Sequence, residues 1–316
     1  MEATATIELD GQYRALREGA GQLAREGRGK LSVDGTEAAE YLQGQLTNEI
    51  QALEPGTGCY SALLDRKGRM QGDMRVLRLD ADRLWMDLEG EATPAVLRHL
   101  EMYKVGRDVE LADRSAEHAI VSVIGPASGS VAGAPPLGAE HSHCELAVGG
   151  IACRAVAADQ GIDLICAAGD AAALAAALAE AGAVEVSEEA AEIVRVESGR
   201  PRFGREMTTQ TIPQEAGINE RAISFTKGCY IGQETVARLH YKGKPNRHLR
   251  GLRLEEPAQA GEVIALAERE VGRVGTAVLS PPLGPIALAV VRREAEPGAT
   301  VTVGGDGSAE VVELPF

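Results

Sequence analysis

Cys229 stands in the stretch Lys227-Gly228-Cys229-Tyr230-Ile231-Gly232-Gln233-Glu234, which continues as Thr235-Val236-Ala237-Arg238. Residues of these types at this spacing could do thiol chemistry. Gly232 can cap a helix that Gln233 begins, and Glu234 places a carboxylate in the positive first turn of that helix. Cys229 then precedes the cap by three residues and follows the Lys227 cation by two. Both features favour the thiolate, the nucleophilic and metal-binding form. Glycines on either side let a ligand or another backbone come close. The same residues also suit a cysteine packed beneath a helix start, and their chemistry leaves both readings open.

The other cysteines are Cys59, Cys144, Cys153 and Cys166. The total is odd and no pair has metal-ligand spacing, so no disulfide framework is expected. Cys153 and Cys166 lie in strand-like apolar runs and read as small buried hydrophobes. Cys144 follows His141 and His143 in a Pro- and Gly-rich stretch, Pro126 to His143, which reads as a flexible loop with a solvated turn rather than a metal site. A permanent iron–sulfur cluster needs about four ligands, usually thiolates, so no bound cluster or metal is expected in the monomer. Gly304-Gly305-Asp306-Gly307 reads as a hairpin and lacks the helix and Lys of a phosphate loop. The one basic stretch, Arg238, His240, Lys242, Lys244, Arg247, His248 and Arg250, suits an anionic partner or a solvated connection.

Elements must hold these residues in place. At 316 residues the chain suits two or three domains, with 44% apolar content to fill them and only 3% aromatics. The net charge of −15 repels phosphate backbones, which argues against direct nucleic-acid binding. No basic start leads into an apolar run, and no 18 apolar residues stand together. The expectation is a cytoplasmic protein with no membrane partner.

The first part, 1–108, reads as α+β. Asp34-Gly35 turns into a helix with Ala38, Tyr41, Leu42 and Leu46 on its apolar face. Strands follow at 59–64, 70–79 and 83–88, with Asp65-Arg66-Lys67-Gly68 as a hairpin turn, and then a helix from Thr93 to Tyr103. The second part, 109–240, also reads as α+β and ends in the Cys229 motif. Its strands fall at 119–124, 144–148, 151–156 and 162–166, and its helices at 171–181 and 188–198. Arg200 to Thr226 has little periodicity, and such stretches are functional or disordered. The last part, 241–316, has short apolar runs between Pro- and Gly-rich turns and reads as a small β-barrel.

The Lys227–Glu234 stretch resembles the signature of the YgfZ family, folate-binding relatives of the glycine-cleavage T-protein implicated in iron–sulfur protein maintenance. Tyr41 to Thr47 resembles the family's first helix, and Asp65 to Gly68 its first hairpin turn. Arg195-Val196-Glu197-Ser198-Gly199, Pro213-Gln214-Glu215-Ala216-Gly217 and Ser280-Pro281-Pro282-Leu283-Gly284 are similar to T-protein segments. Only 110–185 matches weakly.

The resemblance implies an α+β fold of three domains in a ring around a central channel, with a C-terminal β-barrel. It also implies tetrahydrofolate in the channel. Glu197 is similar to the T-protein carboxylate that grips the pterin, whose N–H and amino group lie side by side and suit a carboxylate acceptor. Tyr230, Gln233, Glu234 and Arg238 of the signature are expected on the cofactor side, with Gln43 and Asn48 lining the channel. Cys229, Lys227 and Asp73 are the expected working groups.

The T-protein has an Asp-rich strand start where this chain has Gln71-Gly72-Asp73-Met74, so its acid is either replaced by Gly72 or kept as Asp73. Cys229 belongs to the YgfZ side. The expected function is therefore a folate-dependent accessory of iron–sulfur client enzymes. An aminomethyltransferase or a tRNA-modification factor are the alternatives.

Overall fold

The computed structural model describes residues 2–316, which cluster into two compact units. The first takes the chain to Leu64, then Gln71–Ala190 and Arg221–Ile231. The second takes Asp65–Met70, Ala191–Glu220 and Gly232–Phe316.

The first unit contains α1 (Glu2–Glu18), β1 (Gly21–Ala24), β2 (Arg28–Asp34), α2 (Ala38–Gln45), β3 (Gly58–Leu64), β4 (Met70–Arg78), β5 (Arg83–Glu89), α3 (Thr93–Tyr103), β6 (Glu110–Asp113), β7 (His118–Ile124), α4 (Ser128–Val131), β8 (His143–Val148), β9 (Ile151–Ala158), β10 (Gly161–Ala167), α5 (Ala171–Glu180) and β11 (Val184–Glu185). Two sheets result, one of five strands in the order β3-β4-β5-β2-β6 and one of six in the order β11-β1-β7-β10-β9-β8. The period-2 alternation of each strand gives it two faces. On the six-stranded sheet, Leu164, Ala155, Cys153 and Cys166 pack with Leu174 and Leu178 of α5. From the other faces, Leu77 and Trp85 meet Ile120, Val156 and Ile165. The two sheets of this unit therefore face each other across a common seam. Cys153 and Cys166 are buried, as small hydrophobes should be.

The stretch before β8 differs from the solvated turn that its composition suggests. His141 N–H donates to Ala157 O at 2.8 Å, and Ala157 N–H returns a bond to Ser142 O at 2.8 Å. His143 N–H donates to Gly56 O at 2.8 Å. These backbone bonds carry both imidazoles inward, leaving 12% of the His141 side chain and 5% of His143 exposed. Burial pushes both rings down to about 4, so both are neutral at physiological pH.

In sequence, α6 (Glu188–Glu197) and α7 (Asn219–Ala222) run across the boundaries of the units. The second unit holds α8 (Gln233–Lys242) and β12 (Arg247–Leu254), β13 (Val263–Leu266), β14 (Arg269–Ser280), β15 (Gly284–Arg292), β16 (Thr300–Val303) and β17 (Gly307–Val312). The six strands close into a barrel in the order β12-β15-β14-β13-β16-β17, as the turn spacing predicts. Leu252, Ile264, Val291 and Val301 are among the side chains that fill it. Val196 of α6 packs with Leu249, Ile286 and Leu288 of the barrel. The hairpin Asp65–Gly68 also forms as expected. Asp65 Oδ1 accepts from the amides of Lys67 and Arg69, and Gly68 sits at φ 79°, where a Cβ would meet the Thr235 Cβ at 2.9 Å.

No helix among the described residues is long and apolar enough to cross a membrane.

Candidate functional site

The signature around Cys229 divides by direction. Lys227 turns inward and is 9% exposed. Its ammonium donates to Gln43 O at 2.7 Å, Leu46 O at 2.8 Å and Asn48 O at 2.6 Å, so all three protons have carbonyl acceptors. Leu46 is the C-cap of α2, so the cation sits where that helix leaves its carbonyls unpaired and its dipole is negative. Tyr230 is buried beside it, with the ammonium 5.3 Å from the ring centroid. Cys229, between them in sequence, is exposed, while the other four cysteines are buried or half-buried.

The Lys227 charge is thus engaged by carbonyls rather than left to a thiol two residues away. Burial pushes its amine down to about 8, with Glu49 and Cys59 pulling the other way. Burial also pushes the Cys59 thiol up to about 12.

Gln43 and Asn48 also face the backbone. Gln43 Oε1 accepts from Ile50 N–H at 2.7 Å. Asn48 Nδ2 donates to Tyr60 O at 2.8 Å and to Arg221 O at 2.9 Å. Thr47 Oγ1 donates to Ala222 O at 2.6 Å. The turn after α2 therefore ties β3 to the segment that leads into the signature.

Strand alternation sets the two positions, 72 and 73, on opposite faces of β4. A Cβ at Gly72 would point at Val96 Cγ2 (3.0 Å) and Ala92 Cβ (3.3 Å), an apolar surface beneath α3. Asp73 lies on the opposite face of β4. There Tyr60 Oη donates to Asp73 Oδ2 at 2.6 Å. Asp73 Oδ1 is buried and has no hydrogen-bond partner among the described residues. Burial raises this carboxyl above the ordinary range, against the pull of the Tyr60 bond and of Arg28. An acid held this way can receive an N–H donor on its second oxygen. Arg221 lies with its guanidinium carbon 4.9 Å from the Tyr60 ring centroid, and its Nη2 donates to Glu140 Oε1 at 2.6 Å.

Behind Asp73 the seam is lined with charge. Arg75 Nε donates to Asp87 Oδ2 at 2.8 Å, and Arg75 Nη1 donates to Asp163 Oδ2 at 2.7 Å. Ser122 Oγ donates to Asp163 Oδ1 at 2.5 Å, and Arg28 pairs with the other oxygen of Asp87. Burial works against the Asp87 charge, yet Arg75 and Arg28 hold its carboxyl below the ordinary range. Neither Tyr60 nor Arg221 is marked by any sequence motif; three-dimensional proximity alone identifies them.

In the second unit, Glu197 closes α6 and is 7% exposed. Ser280 Oγ donates to Glu197 Oε1 at 2.6 Å and accepts from Leu283 N–H at 3.2 Å. The Arg195–Gly199 and Ser280–Gly284 segments therefore meet at a buried carboxylate. Gln233, Glu234 and Arg238 lie on α8, capped by Gly232 at φ 85°; Glu234 and Arg238 are exposed and Gln233 is half-buried. Lys242, Lys244 and Arg247 are exposed as well.

Comparison with known proteins agrees with this architecture. The family described as "GCVT N-terminal domain" matches residues 5–227, and "Glycine cleavage T-protein C-terminal barrel domain" matches 247–316. A chloroplastic protein of Arabidopsis thaliana, provisionally named a transferase, is 27% identical over 91% of this chain and 69% of its own. An aminomethyltransferase of Streptomyces coelicolor is 30% identical over 96% of this chain and 88% of its own. The crystal structure of the aminomethyltransferase T of the Bartonella henselae glycine cleavage system shares the fold with a TM-score of 0.87. It does so at 23% identity, over 98% of this chain and 89% of that one.

Proposed function

This chain belongs to the glycine-cleavage T-protein family, and from that premise we propose that it is a tetrahydrofolate-binding protein of the YgfZ kind. In this reading it presents the Cys229 thiol to iron–sulfur enzymes while their clusters are assembled or repaired. The observation that carries this reading is the divided signature. Lys227 and Tyr230 turn inward and fix the loop, so that the cysteine between them is held at the surface. A cysteine held at the surface can ligate iron transiently, its thiol proton leaving as the bond to iron forms, with the remaining ligands coming from the client.

A buried carboxylate supports the folate part: Glu197 suits the paired donors of a pterin edge. When bound, the folate would supply a one-carbon carrier. The protein's own residues would bind it and keep water away. The test is complementation of a strain that lacks the protein. Cys229→Ala should leave client-enzyme activity low although the protein accumulates. Full restoration of client activity by this variant would sink the proposal.

A second reading, aminomethyl transfer, draws on one observation of its own, the Tyr60–Asp73 pair. The relatives named aminomethyltransferases add to it. It predicts folate-dependent ammonia release from an aminomethylated lipoyl carrier, lost in Asp73→Asn. An active carrier with no turnover removes it.

A further inference from the structure

Within the second unit, the basic stretch that begins at Arg238 is joined by a second basic segment. Val236 of α8 is fully buried, and the helix turns another side outward. Glu234, Arg238, Tyr241 and Lys242, at i, i+4, i+7 and i+8, share that side and are all exposed. Lys244 and Arg247 continue the exposed run beyond the helix. At the other end, the Asp65–Gly68 hairpin packs on the first turn of α8. A Cβ on Gly68 would meet Thr235 Cβ at 2.9 Å and Gly232 O at 3.4 Å. The hairpin carries exposed Arg66 and Lys67. Cations therefore stand at both ends and along one face of a helix about 15 Å long.

Pairing within the chain does not account for this face. Arg66, Lys67, Arg238, Lys242, Lys244 and Arg247 form no ion pair among the described residues. Exposed cations elsewhere do pair, Arg83 with Asp80 and Arg107 with Glu37 and Glu40. Glu234 on the same helix face and half-buried Glu215 near Arg247 temper the charge without cancelling it. Nor does the helix dipole explain it. Lys242 in the last turn suits the negative end, but the hairpin sets its two cations at the positive end, where cations are disfavoured. In a chain of net charge −15, this face is a local exception.

Tyr241 stands in this face at 67% exposure, its ring edge to face with His240 at 4.8 Å between centroids. Tyrosine and arginine are enriched where proteins meet. A nucleic acid fits less well. Its backbone would run past the patch toward the acidic remainder of the chain, and one exposed tyrosine offers no row of rings on which bases stack.

We propose that α8 and the Asp65–Gly68 hairpin form a docking face for another protein that presents a compact acidic patch around an apolar centre. The partner's carboxylates meet the cations, and its apolar centre covers Tyr241. Exposed charges of this kind give fast, oriented encounter more than strength, so the association is transient. This inference rests on neither the folate nor the thiol reading.

The probe is a capped peptide of alternating Glu and Asp around a central Leu-Leu pair, titrated at low salt into the full chain labelled with ¹⁵N and deuterium. The expected result is a saturable shift of amide resonances in 65–68 and 233–247. Affinity should fall about tenfold in the Lys242→Glu, Lys244→Glu double variant, the scale of reversing two exposed charges. A peptide with Gly-Gly in place of Leu-Leu should bind about fivefold more weakly. A single-stranded oligonucleotide of the same net charge should bind more weakly than the Leu-Leu peptide. The proposal is overturned if the peptide causes no shift, or shifts centred on other segments. Equal affinities of the two peptides also overturn it, as does unchanged affinity in the folded double variant. An oligonucleotide that binds as tightly as the peptide would assign the face to nucleic acid instead. The wild-type titrations decide these questions even where the variant does not fold.

Discussion

Tyr60 Oη lies 2.6 Å from Asp73 Oδ2, donated from β3 to the neighbouring strand β4 of the five-stranded sheet. The bond favours the ionised form of the acid, while burial opposes it more strongly and leaves the carboxyl raised. A carboxyl with a raised folded pKa loses stability as pH climbs above the ordinary value near 4, because the unfolded chain ionises first. Asp73→Asn keeps an acceptor for Tyr60 and removes the buried charge. It should therefore stabilise the protein at pH 7 by about 1 kcal/mol, the usual scale for relieving a functional site. The gain should vanish near pH 4, as followed by the melting temperature across pH.

Lys227 predicts a structural failure with a chemical consequence. Lys227→Met leaves the carbonyls of Gln43, Leu46 and Asn48 without their shared donor. The expected loss is about 2–4 kcal/mol in denaturant unfolding, from buried acceptors left unpaired. Amide exchange should quicken both in 43–50 and in the signature loop. Unchanged exchange in either segment would argue against a clamp.

The imidazoles of His141 and His143 set an acid limit. Their folded values of about 4 lie below the ordinary 6.5, so between pH 6.5 and 4 the unfolded chain binds more protons than the folded one. Stability is fully present above pH 6.5 and falls as pH drops through that window, by about 2–3 kcal/mol per histidine. His143→Gln can still accept from Arg154 and should flatten part of the slope in urea unfolding at pH 7, 6 and 5.

Asp87 bridges Arg28 and Arg75 at 1% side-chain exposure. Asp87→Asn leaves two guanidinium groups short of a counter-charge, and a loss of about 3–5 kcal/mol is expected. Arg75→Met and Asp87→Leu should be non-additive because they share one ion pair, and a double-mutant cycle measures the coupling directly.

The parts of the fold that show in the sequence are those whose local chemistry agrees with their surroundings. The hairpin at Asp65–Gly68, the β4 and β5 strands and the barrel turns all carry their own signals. β2 did not, because Arg28, Lys30 and Asp34 break its apolar pattern. The structure satisfies these charges internally, with Lys30 Nζ on Arg28 O at 2.8 Å and Arg28 on Asp87 and Glu89. His141 and His143 looked solvated for the same reason, since their burial depends on backbone pairing with distant Gly56 and Ala157. At the candidate site, the spacing in 227–234 exposes the thiol motif, but Tyr60 and Arg221 gain meaning only from contacts remote in sequence. Gln43 and Asn48 were legible as polar residues, and only the structure assigns their amides to the backbone.

The central claim is that a tetrahydrofolate binds and that Glu197 receives its pterin. Calorimetric titration of tetrahydrofolate into the wild type and Glu197→Ala tests it, with the melting temperature of each protein measured first. The predicted result is saturable binding to the wild type and affinity about a hundredfold lower in the folded variant, the scale of losing a charged, two-bond acceptor. No binding to the wild type, or equal affinity in both proteins, would contradict the claim.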